Sequence, residues 1–138
     1  MIAHQRYLAK CNELGRLAAL NGNPPVGAVI VCDQTVISEA QEAAKSKNDI
    51  TCHAEIEALR IAVKHLNSND LSGCYLYTNY EPCIMCAYAI RYYSISKVIY
   101  QNAVPLLGGI SSDVPLLTTA HVPAHWAAAP EIIHIPAI

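Results

Sequence analysis

His53-Ala54-Glu55 and Pro82-Cys83-Ile84-Met85-Cys86 hold the residue types that bind a transition metal and move protons beside it. Cys83 and Cys86 stand at i and i+3, so a helix starting at Pro82 presents both thiols on one face of its first turn. Unpaired backbone N–H groups and the positive end of the dipole at such a turn lower thiol pKa values, and thiolate is the form that zinc takes. His53 is expected at the start of another helix. Two helix N-termini facing each other across a sheet bring one imidazole and two thiolates to a single point. Three protein ligands leave zinc's fourth tetrahedral position open, the catalytic arrangement. A structural site takes a fourth Cys or His, and the chain has no second C-x-x-C and no H-x₃₋₅-H pair at zinc-finger distance from the first. Glu55 lies two residues past His53, near the metal without being aligned to bind it. That position suits a base taking a proton from water on the metal.

The elements that position these residues follow from periodicity. From Ile2 to Leu20 apolar residues recur at helical spacing, and Gly22 with Pro24-Pro25 ends the pattern. Val26–Val31 is a short, β-branched run that reads as a buried strand, and Thr35–Ala40 as its hairpin partner across Asp33-Gln34. Residues 42–52 are polar and irregular. A second helix is expected from about Cys52 to Leu66, a strand over Cys74–Thr78, a third helix from near Pro82 to Tyr93, and a strand over Lys97–Gln101. Beyond Gly109 the signals thin to a short helix near Pro115–Thr119 and a strand at Ile132–Ile135. Strands alternating with helices imply a helix-covered sheet, parallel in its later part.

Composition bounds the function. The 138 residues suit a single domain, are 53% hydrophobic and 14% charged, and carry a formal net charge of −2. Such a chain is too apolar for disorder and lacks the basic excess of a polyanion binder. No Lys or Arg follows Lys97, and five of the eight prolines lie beyond it. No signal-peptide-like segment and no membrane-spanning apolar run are present, so a cytoplasmic protein with no membrane partner is expected. The C-x-x-C then points to metal rather than to a disulfide scaffold.

The ordered set H-A-E followed by P-C-x-x-C resembles the cytidine/deoxycytidylate deaminase superfamily, in the branch of tRNA adenosine, guanine and fungal-type cytosine deaminases. The likeness runs through PVGAVIV (25–31), NDITCHAEIEALR (48–60) and EPCIMCAYAI (81–90). It implies an α/β protein, a three-layer α/β/α sandwich around a five-stranded mixed sheet. It also implies Zn2+ on His53, Cys83 and Cys86, with Glu55 as proton shuttle and hydrolytic release of ammonia from a ring carbon. Dimers are common in the family. The surface of the third helix (Ala87, Tyr88, Arg91, Tyr92) is a candidate homodimer interface.

Two departures bear on substrate. Family members place an Asn eleven residues before the zinc histidine to bond the base; here that position is Glu42. Asn offers a donor and an acceptor, whereas an ionised Glu only accepts. If Glu42 lines the pocket, the substrate presents extra N–H donors, as an aminopyrimidine, an aminotriazine or a guanine-like edge does. Otherwise Glu42 is a solvated residue before Lys45 and Lys47. The stretch 101–109, usually charged in the family, carries neither acid nor base. RNA binding leans on Lys and Arg contacts to phosphate. A free nucleobase, nucleoside or related amino-heterocycle is therefore the expected substrate, with no nucleic-acid partner. The alternatives are tRNA adenosine-to-inosine deamination and a non-catalytic scaffold stabilised by zinc.

The remaining candidates are substrate contacts: Glu42, Ala54, Val26, Tyr80 and Trp126. Tyr80 suits stacking on a bound ring or core packing. Trp126, in the uncharged tail, is expected to cover the pocket of its own chain or of a neighbour. Cys11, Cys32, Cys52 and Cys74 read as core thiols, and His121, His125 and His134 as surface or loop histidines.

Overall fold

The computed structural model describes residues 2–137. Its elements are α1 (Ile2–Leu20), β1 (Gly27–Cys32), β2 (Thr35–Gln41), α2 (Ala54–Leu66), β3 (Cys74–Tyr80), α3 (Ile84–Tyr92), β4 (Lys97–Asn102) and β5 (Glu131–His134). The strands form one sheet in the order β2-β1-β3-β4-β5. β1 runs antiparallel to β2 and β3, while β3, β4 and β5 are parallel. The expected three-layer sandwich around a mixed five-stranded sheet is the observed architecture.

Alternation along the central strands assigns the layers. Val29 and Val31 of β1, Tyr77 of β3 and Ile99 of β4 meet Tyr7, Leu8, Cys11 and Leu14 of α1 on one face. Ala28, Ile30, Leu76 and Val98 meet Ala58, Leu59 and Ala62 of α2 and Ala87 and Ile90 of α3 on the other. Both faces of these strands are buried, which is why they read as continuous apolar runs instead of alternating ones. α1 lies close on β1 because Gly27 has no side chain: a Cβ there would strike the Cys11 carbonyl and the Leu14 side chain. The hairpin turn places Asp33 at φ 50° and Gln34 at φ 64°, the two left-handed residues of a type I′ turn.

Three expectations need correcting. The third helix starts at Ile84 with Cys83 as its extended N-cap, so Pro82 stands outside it. Cys83 bridges Gly108, and the Ile84 N–H donates to the Leu107 carbonyl at 3.0 Å. These tertiary contacts hold the backbone extended for one residue more than local propensity suggests. The segment near Pro115–Thr119 is a single turn at residues 116–118, with the N–H groups of Thr118 and Thr119 both bonded to the Pro115 carbonyl. The α3 face proposed as an interface is partly covered by the chain's own tail. Ala87 and Arg91 are buried, and Arg91 Nη1 donates to the carbonyls of Leu116 and Thr119 at 2.9 and 3.0 Å. Tyr88 and Tyr92 remain exposed. No helix among the described residues is long and apolar enough to cross a membrane.

Candidate metal centre and its cavity

The parallel strands β3 and β4 end at the same edge of the sheet as the N-termini of α2 and α3. Crevices at the carboxyl ends of parallel strands are where open α/β sheets bind ligands. His53 is the N-cap of α2 and Cys83 the N-cap of α3. Ser, Thr, Asp and Asn are the usual residues at that position, because their side chains bond the first free N–H groups. Neither His53 nor Cys83 makes such a bond. The two side chains turn towards each other instead, which gives up capping stability in favour of a ligand position.

His53 Nδ1 lies 3.5 Å from Cys83 Sγ and 3.5 Å from Cys86 Sγ. The ligand atoms of His53, Cys83 and Cys86 all fall within 4.8 Å of one another. Tetrahedral zinc with ordinary Zn–N and Zn–S bond lengths separates such N and S atoms by roughly 3.6 Å. The donor set and its spacing therefore fit zinc. The charges fit as well. The Cys86 thiol donates to Cys83 and holds it down to about 4, with His53 adding to the effect. Cys86 is pushed well up by that same bond and by its burial. His53 is raised to about 9, chiefly by its hydrogen bond to Cys83. A divalent cation takes the place of the protons that these groups share, so its uptake releases protons.

Glu55, in the first turn of α2, is buried beside the three ligands without joining them. Burial pushes its carboxyl up to about 8, and the neighbouring Cys83 sulfur pushes in the same direction. A carboxyl with a pKa near neutrality both accepts and returns a proton readily.

His53, Cys83 and Glu55 open onto a cavity of about 350 Å3, at the small end of the range for ligand pockets. Pro24, Pro25, Val26, Glu42, Tyr80, Glu81 and Val104 complete its wall. Val26 and Tyr80 are thus among the residues lining it. Ala54 is fully buried under the wall, and its backbone N–H donates to Glu42 Oε1 at 3.2 Å. Of the two readings of Glu42, the structure has the buried one: 4% exposed and on the cavity wall. Lys47 turns away from it to pair with Glu57 at 2.7 Å. Trp126 requires correction, because it does not reach this cavity in its own chain. It packs edge-on against Tyr88, ring centroids 5.0 Å apart, with the Arg91 guanidinium 5.9 Å from its ring. The apolar face of α3 is the nearer surface for an indole on that stretch of tail.

Two further residues organise the wall. Glu81 is buried, and its carboxylate accepts from the N–H groups of Val104, Ile110 and Ser111 at 2.8–2.9 Å and from the Ser111 hydroxyl. Burial raises its pKa, but those hydrogen bonds outweigh burial and leave it below the ordinary carboxylate value. Asn79 accepts from the Gly27 N–H at 3.0 Å and donates to the Pro25 carbonyl at 2.9 Å, fixing Pro25-Val26. A charged or amide residue inside a strand-to-helix junction is the sequence signal for both. A larger recess, about 540 Å3, lies at the other end of β1 and β3, where His4 Nδ1 stands 2.7 Å from the Tyr77 hydroxyl. Among the described residues, no metal-binding cluster lines it.

Residues 1–102 match the family described as the cytidine and deoxycytidylate deaminase zinc-binding region. Over 96 residues the chain is 43% identical to the tRNA-specific adenosine deaminase of Aquifex aeolicus, covering 70% of this chain and 64% of that protein. Over 103 residues it is 41% identical to the guanine deaminase of Bacillus subtilis, covering 72% of this chain and 64% of that protein. The chain thus spans just under two thirds of the length of these two relatives. A solved structure from work on A-to-I editing by tRNA:A34 deaminases superposes with a TM-score of 0.86 at 31% identity. It covers 94% of this chain and 91% of that one.

Proposed function

The chain belongs to the cytidine and deoxycytidylate deaminase zinc-binding family, and from that premise we propose that it is a zinc-dependent hydrolytic deaminase of an amino-bearing heterocyclic base. The observation that carries the reading is Glu55, a buried carboxyl beside a ligand triad and facing a base-sized cavity. A purely structural metal site gains nothing from it.

His53, Cys83 and Cys86 would hold the ion, which when bound acts as a Lewis acid and lowers the pKa of water at its open position. The rest falls to the chain's own residues. Glu55 takes one proton from the attacking water as its oxygen bonds to the ring carbon bearing the amino group. It passes that proton to the adjacent ring nitrogen. The C–N bond then breaks, ammonia leaves with a proton relayed through Glu55, and a carbonyl remains. Water and the amino-heterocycle in, a ring amide (lactam) and ammonia out, the protons balance. Pro24, Pro25 and Val26 exclude bulk water on one side and the loop held by Glu81 does so on the other, which strengthens each polar contact within.

Two substrate classes have support. Overall likeness favours adenosine in tRNA, against the expectation of a partner-free small-molecule enzyme. The absence of Lys and Arg beyond residue 97 and an acid-rich cavity favour a free base or nucleoside. Zinc-loaded protein is to be incubated with an anticodon stem-loop and, separately, with a panel of aminopurines, aminopyrimidines and aminotriazines. Inosine in the RNA selects the first class and ammonia from a panel member the second. Neither product, or a Glu55→Ala variant as active as the parent, refutes the reading.

A further inference from the structure

The cavity wall is uneven in what it leaves free. Three backbone donors at the wall are already committed: the Val26 N–H to the Pro24 carbonyl at 2.8 Å, the Val104 N–H to Glu81, and the Ala54 N–H to Glu42. Two backbone acceptors there are committed in the same way, the Val26 carbonyl to the Glu42 N–H at 2.9 Å and the Pro25 carbonyl to Asn79. No Lys or Arg lines it. Glu42 differs. Oε1 accepts from Ala54 at 3.2 Å and Oε2 from Ala44 at 3.3 Å. Those two bonds fill half of the roughly four lone-pair sites of a carboxylate. They also fix the side chain, so its free lone pairs are held in place before any ligand arrives.

We propose that Glu42 determines specificity by reading N–H donors, so that the cavity selects amino-heterocycles carrying a second N–H group on the ring edge beside the amino group that leaves. This rests on the deaminase reading for the bond that breaks, but not for what the cavity binds. A substrate amino or ring N–H directed at Glu42 completes the carboxylate. A carbonyl or bare ring nitrogen in that place meets an oxygen lone pair, and the Ala54 N–H beside it is already taken. Sites built to bond an N–H reject analogues that lack it strongly, because the buried acceptor is then left without a partner. The unsubstituted adenine ring of a nucleoside offers only lone pairs beside its amino group and falls among the rejected class. Diaminopyrimidines, diaminotriazines and guanine-like edges fall among the accepted.

A matched pair tests this: 2,4-diaminopyrimidine and cytosine both carry the 4-amino group that leaves and a bare N3 beside it, and differ in an amino group against a carbonyl at position 2, with a hydrogen on N1 in cytosine alone. Binding of each is measured by calorimetry, at a pH where both are neutral, to zinc-loaded protein carrying Glu55→Gln so that nothing turns over. Ammonia release is measured separately with Glu55 intact. The diamino compound is expected to bind at least about 10-fold more tightly, and Glu42→Gln, whose amide both donates and accepts, to abolish or invert that preference. If Glu42→Gln does not fold, Glu42→Asn is the second variant. A preference unchanged by either amide, tighter binding of cytosine, or no binding of either compound at millimolar concentration overturns the proposal. The expected binding preference without ammonia from either compound upholds the role of Glu42, and the deaminase reading then falls only if the wider panel and the anticodon stem-loop also give no product.

Discussion

Replacing Glu81 with alanine takes the acceptor away from four donors on one loop: the N–H groups of Val104, Ile110 and Ser111 and the Ser111 hydroxyl. Hydrogen bonds to a charged group contribute about 1.5–3 kcal/mol each. Ser111 is exposed, so water replaces its two bonds, whereas Val104 and Ile110 are half-buried. Counting those two at the lower end gives a loss of about 3–4 kcal/mol. A chain of this length unfolds with an entropy near 0.3 kcal/mol per kelvin, so the midpoint drops by about 10–14 °C. Glu81→Gln is the sharper variant. Both carboxylate oxygens accept from backbone N–H groups, so an amide turned either way sets its NH2 against at least one of them, and glutamine rescues only in part. Urea melts of zinc-saturated protein, with hydrogen exchange at Val104 and Ile110, read the effect. A loss below about 1 kcal/mol in Glu81→Gln, smaller than one charged hydrogen bond, would refute the assignment of Glu81 as the peg of this loop.

Other substitutions probe the same assembly. Asn79→Ala leaves the Gly27 N–H and the Pro25 carbonyl without partners and is expected to cost about 2–3 kcal/mol in urea denaturation, with weaker binding of any cavity ligand. His53→Ala and Cys86→Ala are each expected to lose zinc after dialysis against a mild chelator, and a retained stoichiometric ion in either, by atomic emission, contradicts the ligand set. Trp126→Ala is expected to leave ligand affinity unchanged, because its contacts are Tyr88 and Arg91; a calorimetric loss of affinity places the tail over a site after all.

The sheet and the ligand triad were legible because each is encoded within a short stretch. Val26–Val31 and Val98–Tyr100 are apolar on both faces, and the Asp33-Gln34 pair marks the turn from β1 into β2. The H-A-E and P-C-x-x-C motifs need only two helix starts at one sheet edge to converge. What escaped depends on partners distant in sequence. The helix start shifted from Pro82 to Ile84 because Cys83 pairs with Gly108. Glu42 reads equally as solvated or buried until the α2 N-terminus is set beside it. Glu81 and Asn79 became recognisable only from what they bond. Trp126 gave no periodic signal, and its burial partner lies on α3.

β5 has a consequence for how these molecules behave beside one another. It spans four residues and lies at the border of the sheet, parallel to β4, with Lys97 and Glu131 paired at 3.7 Å. Pro130 precedes it and Pro136 follows closely. Proline has no N–H to offer an incoming strand, and a border strand this short gives another chain little to template on. The prolines that make the tail look unstructured also blunt the sheet against growing from one molecule into the next. An apolar, charge-poor protein has few repulsive charges to prevent that, so here backbone chemistry serves in place of charge as the guard against aggregation.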